Sequence, residues 1–406
     1  MADDPIVVIG AGQAGLQIAD SLRRGGYAGP LTLIGDEASL PYQRPPLSKQ
    51  YIGDELAPER LLFRPADYYT KQSIEIITGV AVEAIESGQK SLSFGGETRR
   101  YAKLALATGA SVRKLPVPGA DLPGVRYLRS LDDAANIRRR LRAGPARVVA
   151  IGGGFIGLEI AASARQLGHD VTVVEALDRL MARAVSPFVS AYYADLHRQH
   201  GVDVLLGTTV TAIEAGADDS LGVVLGDGRI LAADMVVVGI GSVPNTRLAE
   251  AAGLECANGI VVDEFARTSA PDIVAAGDCT FHRNVRYATS QRLESVQNAV
   301  DQAKVAAATL LGEAKAYDQV PWFWSDQYDA KLQMVGTSAA HDRYVLRGDP
   351  AAGSFSAFYF LGDALVGVDS VNRPADHLVS RKLLALGTVV PEEMITDTEQ
   401  NLKTLL

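Results

Sequence analysis

The sequence predicts an α/β fold: two Rossmann-like parallel-sheet domains, the second inserted into the first, followed by a smaller α+β domain. Three observations predict it. Ile6-Val7-Val8-Ile9 is an all-apolar run of the kind buried on both faces of a parallel sheet; Leu16, Ala19 and Leu22 then keep helical spacing before Leu31-Thr32-Leu33-Ile34 returns as strand. The same unit recurs as Val148-Val149-Ala150-Ile151, a helix through Gln166-Leu167-Gly168, and Val171-Thr172-Val173-Val174, so a whole domain is repeated. From about Val320 the pattern changes to short alternating strands around Gln333-Met334-Val335, Tyr344-Val345-Leu346, Phe358-Tyr359-Phe360 and Leu365-Val366-Gly367-Val368. A closing helix is expected over 375–386.

Each repeat carries a glycine turn between strand and helix: Gly10-Ala11-Gly12-Gln13-Ala14-Gly15 and Gly152-Gly153-Gly154-Phe155-Ile156-Gly157. Glycine at these spacings permits a tight bend and lets a pyrophosphate approach the helix N-terminus, where backbone amides and the dipole favour negative charge. An acid about 20 positions on holds the ribose hydroxyls. Asp36 and Glu175 stand at that distance, each just past the second strand of its repeat. Two such sites in one chain imply two dinucleotides, the arrangement that passes hydride from a nicotinamide to a flavin. A carboxylate at 175 accepts from a ribose 2′-hydroxyl and repels a 2′-phosphate, by roughly 4 kcal/mol per unit charge at 4 Å near a surface, so NADH is expected over NADPH. Arg179 and Arg183 lie close enough in sequence to soften that exclusion.

At 406 residues the chain exceeds one core and suggests two or three domains. Its net charge of -9 argues against nucleic acid and against adsorption to an anionic membrane. No apolar run is long enough for a membrane span, and the acidic N-terminus lacks the positive region of a secretory signal, so a cytoplasmic protein is expected. Cys256 and Cys279 have neither disulfide nor zinc spacing, and Cys279 reads as a small buried hydrophobe. No metal is expected. His197 and His200 share a helix face without a third ligand and read as solvated, as does the run Arg138-Arg139-Arg140 with Arg142.

The two turns, together with Ala107-Thr108-Gly109, Gly239-Ile240-Gly241 before Pro244-Asn245, and Thr268 through Ala275-Ala276-Gly277-Asp278, resemble the FAD-dependent pyridine nucleotide-disulfide oxidoreductase superfamily. Pro45-Pro46-Leu47-Ser48-Lys49, Gly157-Leu158-Glu159 and Pro321-Trp322-Phe323-Trp324-Ser325-Asp326-Gln327 resemble its bacterial ferredoxin reductase branch. The resemblance spans nearly the whole chain and implies a glutathione-reductase-like architecture. FAD-binding segments fall at 1–114 and 245–318, an NADH-binding domain at 115–244 and a C-terminal domain at 319–406.

It also implies residue roles. The first turn, Ala14 included, takes the FAD pyrophosphate and Asp36 its adenosine ribose. Lys49 lies by the flavin ring, Val82, Arg129 and Val296 contact the cofactor, and Asp278 binds the ribityl chain. Lys49 and Glu159 flank the reacting rings, and Trp324 covers the flavin or faces the acceptor. Plainer readings remain: a surface loop lysine at 49, an exposed first-turn helix residue at 159, and interface packing at 324.

Asp36 to Lys49 contains no cysteine, so thiol chemistry is not expected. The resemblance selects a two-iron two-sulfur ferredoxin as electron acceptor, serving a monooxygenase; such ferredoxins are acidic, so on this acidic chain Lys304 and Lys403 are the candidate docking cations. The same scaffold also admits a rubredoxin, quinone or monodehydroascorbate reductase, and a flavin-binding interaction protein resembling apoptosis-inducing factor.

Overall fold

A computed structural model of the chain describes residues 4–53, 56–218, 220–284 and 289–406, so the first three residues of the acidic N-terminus lie outside it. The chain divides into two compact units. One comprises Met1–Gln43, Glu59–Ser111 and Val243–Pro321; the other comprises Arg44–Pro58, Val112–Ser242 and Trp322–Leu406.

The first unit is built on a five-stranded parallel sheet in the order Ile273–Ala275, Lys103–Leu106, Ile6–Ile9, Leu31–Ile34, Ile74–Ile77. The central strand is buried throughout, which explains its unbroken apolar run. The helices Gln13–Arg24 and Val296–Leu310 join the same core; Ala299, Ala303, Ala306 and Ala307 let the second approach Ala14, Ile18 and Leu22 closely. The expected strand over 103–110 is shorter than its apolar run suggests. It ends at Leu106, because Gly109 adopts φ +65°, and a new strand starts at Ala110.

The second unit repeats the design, in the order Asp203–Leu205, Asp170–Val174, Arg147–Ile151, Met235–Val238, Val125–Tyr127. It also carries a five-stranded antiparallel sheet, Trp322–Gln327, Ala330–Gly336, Ala364–Val371, Ser354–Leu361, Arg343–Asp349, packed by the helix Pro374–Leu386. Arg347, 4% exposed, donates to the carbonyls of Ile395, Asp397, Thr398 and Gln400 and so fastens the C-terminal tail. Among the described residues no helix is long and apolar enough to cross a membrane.

One buried carboxyl in this sheet titrates near neutrality. The Tyr359 hydroxyl donates to Asp369 at 2.8 Å and lies 2.8 Å from Ser186, which caps the helix Pro187–Gln199. Burial pushes Asp369 from the ordinary 3.8 up to about 7, against the pull of Tyr359. The folded chain therefore holds this proton more tightly than the unfolded chain. Its contribution is fully present below pH 3.8, is lost as pH rises to about 7, and is level beyond. Asp369→Asn is expected to remove up to about 1.4 kcal/mol of stability change per pH unit across that window. Urea midpoints at pH 5 and pH 8 check this; an unaltered difference between them would show the carboxyl already ionised in the fold.

Candidate active site

The glycine turn of the first unit is built by backbone contact. Gly10 has φ +107°, and a Cβ there would lie 2.1 Å from the Ala107 carbonyl oxygen; one on Gly15 would lie 1.8 Å from that of Gly10. Gly12 differs: it precedes the helix Gln13–Arg24, offers no side-chain cap, and its Cβ would meet nothing within 4 Å. An uncapped N-terminus with open space over it fits a dinucleotide phosphate, because the first-turn amides have no acceptor within the helix.

Ala14 abuts Gly277, whose amide donates to Gln302 at 2.8 Å, and this places the half-buried Asp278 beside the helix start. Val296 is half-buried in the first turn of its helix, and Asp36 is exposed. Val82 packs in the core with Ile9, Ile34 and Phe94. Cys279 is fully buried, with its thiol pushed up by burial.

The second unit repeats the cradle. Cβ atoms on Gly152 and Gly157 would lie 2.4 Å from the Gly239 oxygen and 2.1 Å from the Gly152 oxygen, whereas one on Gly154 would find only an atom at 3.9 Å. No side chain caps the helix Phe155–Gln166, and Ile156 in its first turn is 44% exposed. Glu175 accepts from the Gly153 amide at 2.6 Å and the Leu177 amide at 2.8 Å, so the carboxylate is pinned at the loop. Arg179 donates to the Ala182 and Val185 carbonyls and is committed to its own loop. Gly241, at φ +106°, is exposed near Arg183. Arg129 is half-buried; its amide donates to Asp133 and its carbonyl accepts from Arg44.

The cradles differ in one reciprocal detail. Strand register aligns Ile9 with Ile34 and Ile151 with Val174, so Gly35 holds the place that Glu175 holds in the repeat. A Cβ on Gly35 would lie 2.5 Å from that of Ala11, whereas Glu175 sits against Gly153. Small and large residues have exchanged places, and the first acid, Asp36, stands one position later.

Lys49 and Glu159 come together in the second unit. Lys49 Nζ lies 3.0 Å from Glu159 Oε1, with the side chains 12% and 3% exposed. Ser325 donates to Oε1 at 2.6 Å and Ser48 to Oε2 at 2.5 Å. Burial pushes the Glu159 carboxyl up, while Lys49 and the two hydroxyls favour its ionised form. Both plainer readings therefore fail: Lys49 is not a surface lysine, and Glu159 lies beyond the first helical turn, buried. Trp324 is half-buried on the strand that carries Ser325, its ring 5.7 Å from Trp322.

The histidine pair is corrected in part. His200 is exposed, but His197 is fully buried, because Val189, Tyr193, Leu196 and His197 form the buried stripe of their helix. That spacing was readable beforehand. In the arginine run, Arg138 lies 4.9 Å from the Tyr51 ring centroid while Arg139 and Arg142 are exposed.

Two uncapped glycine cradles fit two dinucleotides, and a buried lysine–carboxylate pair stands in the second unit. The chain belongs to the pyridine nucleotide-disulphide oxidoreductase family, whose model matches residues 4–303, and a reductase C-terminal model matches 322–406. Rhodocoxin reductase of Rhodococcus erythropolis is 49% identical over 98% of this chain and 93% of its own length. Rubredoxin-NAD(+) reductase of Pseudomonas putida is 39% identical over 91% of this chain and 96% of its own. A ferredoxin reductase from Rhodopseudomonas palustris superposes with a TM-score of 0.96 at 48% identity, covering 99% of each chain. The reductase in a covalent putidaredoxin reductase–putidaredoxin complex also gives 0.96, at 41% identity, covering 100% of this chain and 98% of the other.

Proposed function

We propose that this chain is an FAD-dependent NADH:ferredoxin reductase of the cytoplasm, supplying electrons to an oxygenase through a two-iron two-sulfur ferredoxin. The observation that carries the reading is the pair of uncapped cradles in a chain with no cysteine between Asp36 and Lys49, whose two cysteines, one of them fully buried, come more than 200 residues later in sequence. Bound FAD would supply hydride acceptance and single-electron release; the residues of this chain bind, orient and screen. Gly10, Gly12, Ala14 and Gly15 hold the FAD pyrophosphate, with Asp36 at its adenosine ribose and Asp278, Val82, Arg129 and Val296 along the rest. Gly152, Gly154, Ile156, Gly157 and Gly241 hold NADH, with Glu175 on the adenine ribose. Lys49, oriented by Glu159, presents a cation to charge developing on the flavin, and Trp324 shields the ring. Three domains follow, with FAD segments 1–114 and 245–318 around an NADH domain at 115–244, and a C-terminal domain from 319. The four similar proteins named above are reductases of small electron carriers, and their names support the acceptor class.

Anaerobic reduction of candidate ferredoxins by NADH, with NADPH in parallel and rubredoxin as a rival acceptor, tests this directly. Ferredoxin reduction slower than rubredoxin reduction would sink the assignment. Glu175→Gln is expected to narrow the NADH preference, because Arg179 is already committed and no longer offsets the carboxylate. The ratio of kcat/KM for the two nucleotides reads it. The ferredoxin docks at Lys304, an exposed lysine paired with Asp301 at 2.9 Å, and at Lys403 in the tail. Lys304→Glu should raise the KM for ferredoxin and flatten its salt dependence.

A further inference from the structure

A chain of buried side chains leads away from Glu159. Ser325, Gln327 and His197 are all fully buried. Ser325 donates its one proton to Glu159 Oε1, so its lone pairs accept from Gln327 Nε2 at 3.1 Å. With Nε2 turned to Ser325, Gln327 presents Oε1 to His197 Nε2 at 2.9 Å, and that nitrogen must carry the proton. His197 Nδ1 is left as the acceptor for the Tyr328 hydroxyl at 3.3 Å. Burial holds His197 neutral, lowering it to about 4. Tyr328 itself sits at φ +56°, a conformation that bulky residues rarely adopt, with its ring stacked 3.7 Å from that of exposed His200. Every donor along this line points toward the carboxylate. Reversing any one bond would leave two donors or two acceptors face to face in a dry interior.

We propose that Ser325, Gln327 and His197 are positioning residues whose one-way chain of donors fixes Glu159 as an acceptor and so aims Lys49. The line orients and does not conduct, because the Gln327 amide interrupts proton hopping. The functional consequence rests on the reading that NADH reduces a flavin beside Lys49.

Imidazole 15N spectra of the histidine-labelled, FAD-loaded protein at pH 7 test the chain without turnover. The signal lost in His197→Gln should be that of a neutral ring protonated at Nε2; protonation at Nδ1, or an imidazolium, overturns the proposal. In stopped-flow reduction by NADH alone, His197→Leu and Gln327→Leu should slow flavin reduction about tenfold, with half-saturation by NADH unchanged. His197→Gln, which returns an N–H donor to the same place, should recover most of the rate. Equal losses in the two His197 variants, or no loss in either Leu variant, refute the positioning role. If Gln327→Leu does not fold, Ser325→Ala makes the smaller cut and the spectra still decide. No ferredoxin enters these assays, so failure of the acceptor assignment leaves them standing. If NADH fails to reduce the wild-type flavin, the functional reading falls while the spectra still judge the chain.

Discussion

Gly15→Ala is expected to give a protein without bound FAD, colourless and destabilised by more than about 4 kcal/mol. The added Cβ would lie 1.8 Å from the Gly10 carbonyl oxygen, and no side-chain rotation relieves a clash with backbone. Gly10 cannot retreat, because its amide donates to Ile34 at 2.7 Å and its φ of +107° already suits glycine alone. Gly12→Val is the informative contrast. Its Cβ enters open space, so the chain should fold with little change in melting temperature and lose flavin affinity alone. Absorbance of bound flavin and thermal unfolding of the apoprotein separate the two effects. Full flavin occupancy in Gly15→Ala would remove the cradle from the account.

Lys49→Met should have the second largest effect, and on two observables. It leaves the Glu159 carboxylate, 3% exposed, with two hydroxyl donors and no cation, at a cost of about 3–5 kcal/mol. Burial already raises this carboxyl, and loss of Lys49 raises it further. The folded state then favours the protonated form, so stability falls as pH climbs above the ordinary 4.5, and the variant's deficit is greater at pH 8 than at pH 5. Flavin reduction by NADH should slow roughly 100-fold, the scale for deleting one preorganised electrostatic group. Lys49→Met combined with Glu159→Leu separates fold from chemistry, since removing both charges restores stability and leaves the rate low. A double variant that recovers the rate as well would show that the pair only supports the fold.

The parallel sheets were legible because their central strands, Ile6–Ile9 and Val148 to Ile151, are buried on both faces and read as unbroken apolar runs ending in glycine turns. The acids were legible by spacing, although the shift of Asp36 relative to Glu175 shows only when strand registers are compared. What escaped was the surroundings of Glu159. Ser48, Ser325, Gln327 and His197 come from three distant stretches of chain, and nothing local marks a serine or glutamine on a strand as a partner for a carboxylate. Resemblance could place Lys49 and Glu159 together; only the fold shows what orients them. His197 is the one exception, since its place on the stripe of Val189, Tyr193 and Leu196 already argued against exposure.

The size exchange between Ala11–Gly35 and Gly153–Glu175 bears on how such an enzyme is re-engineered. An acid grafted at 35 collides with the methyl at 11, and a methyl grafted at 153 runs into the end of the Leu180 side chain and crowds the acid at 175. Converting either nucleotide pocket into the other thus needs paired replacements made in a fixed order, the large side chain cut back before its small neighbour is enlarged, so the order of single changes decides which routes stay open.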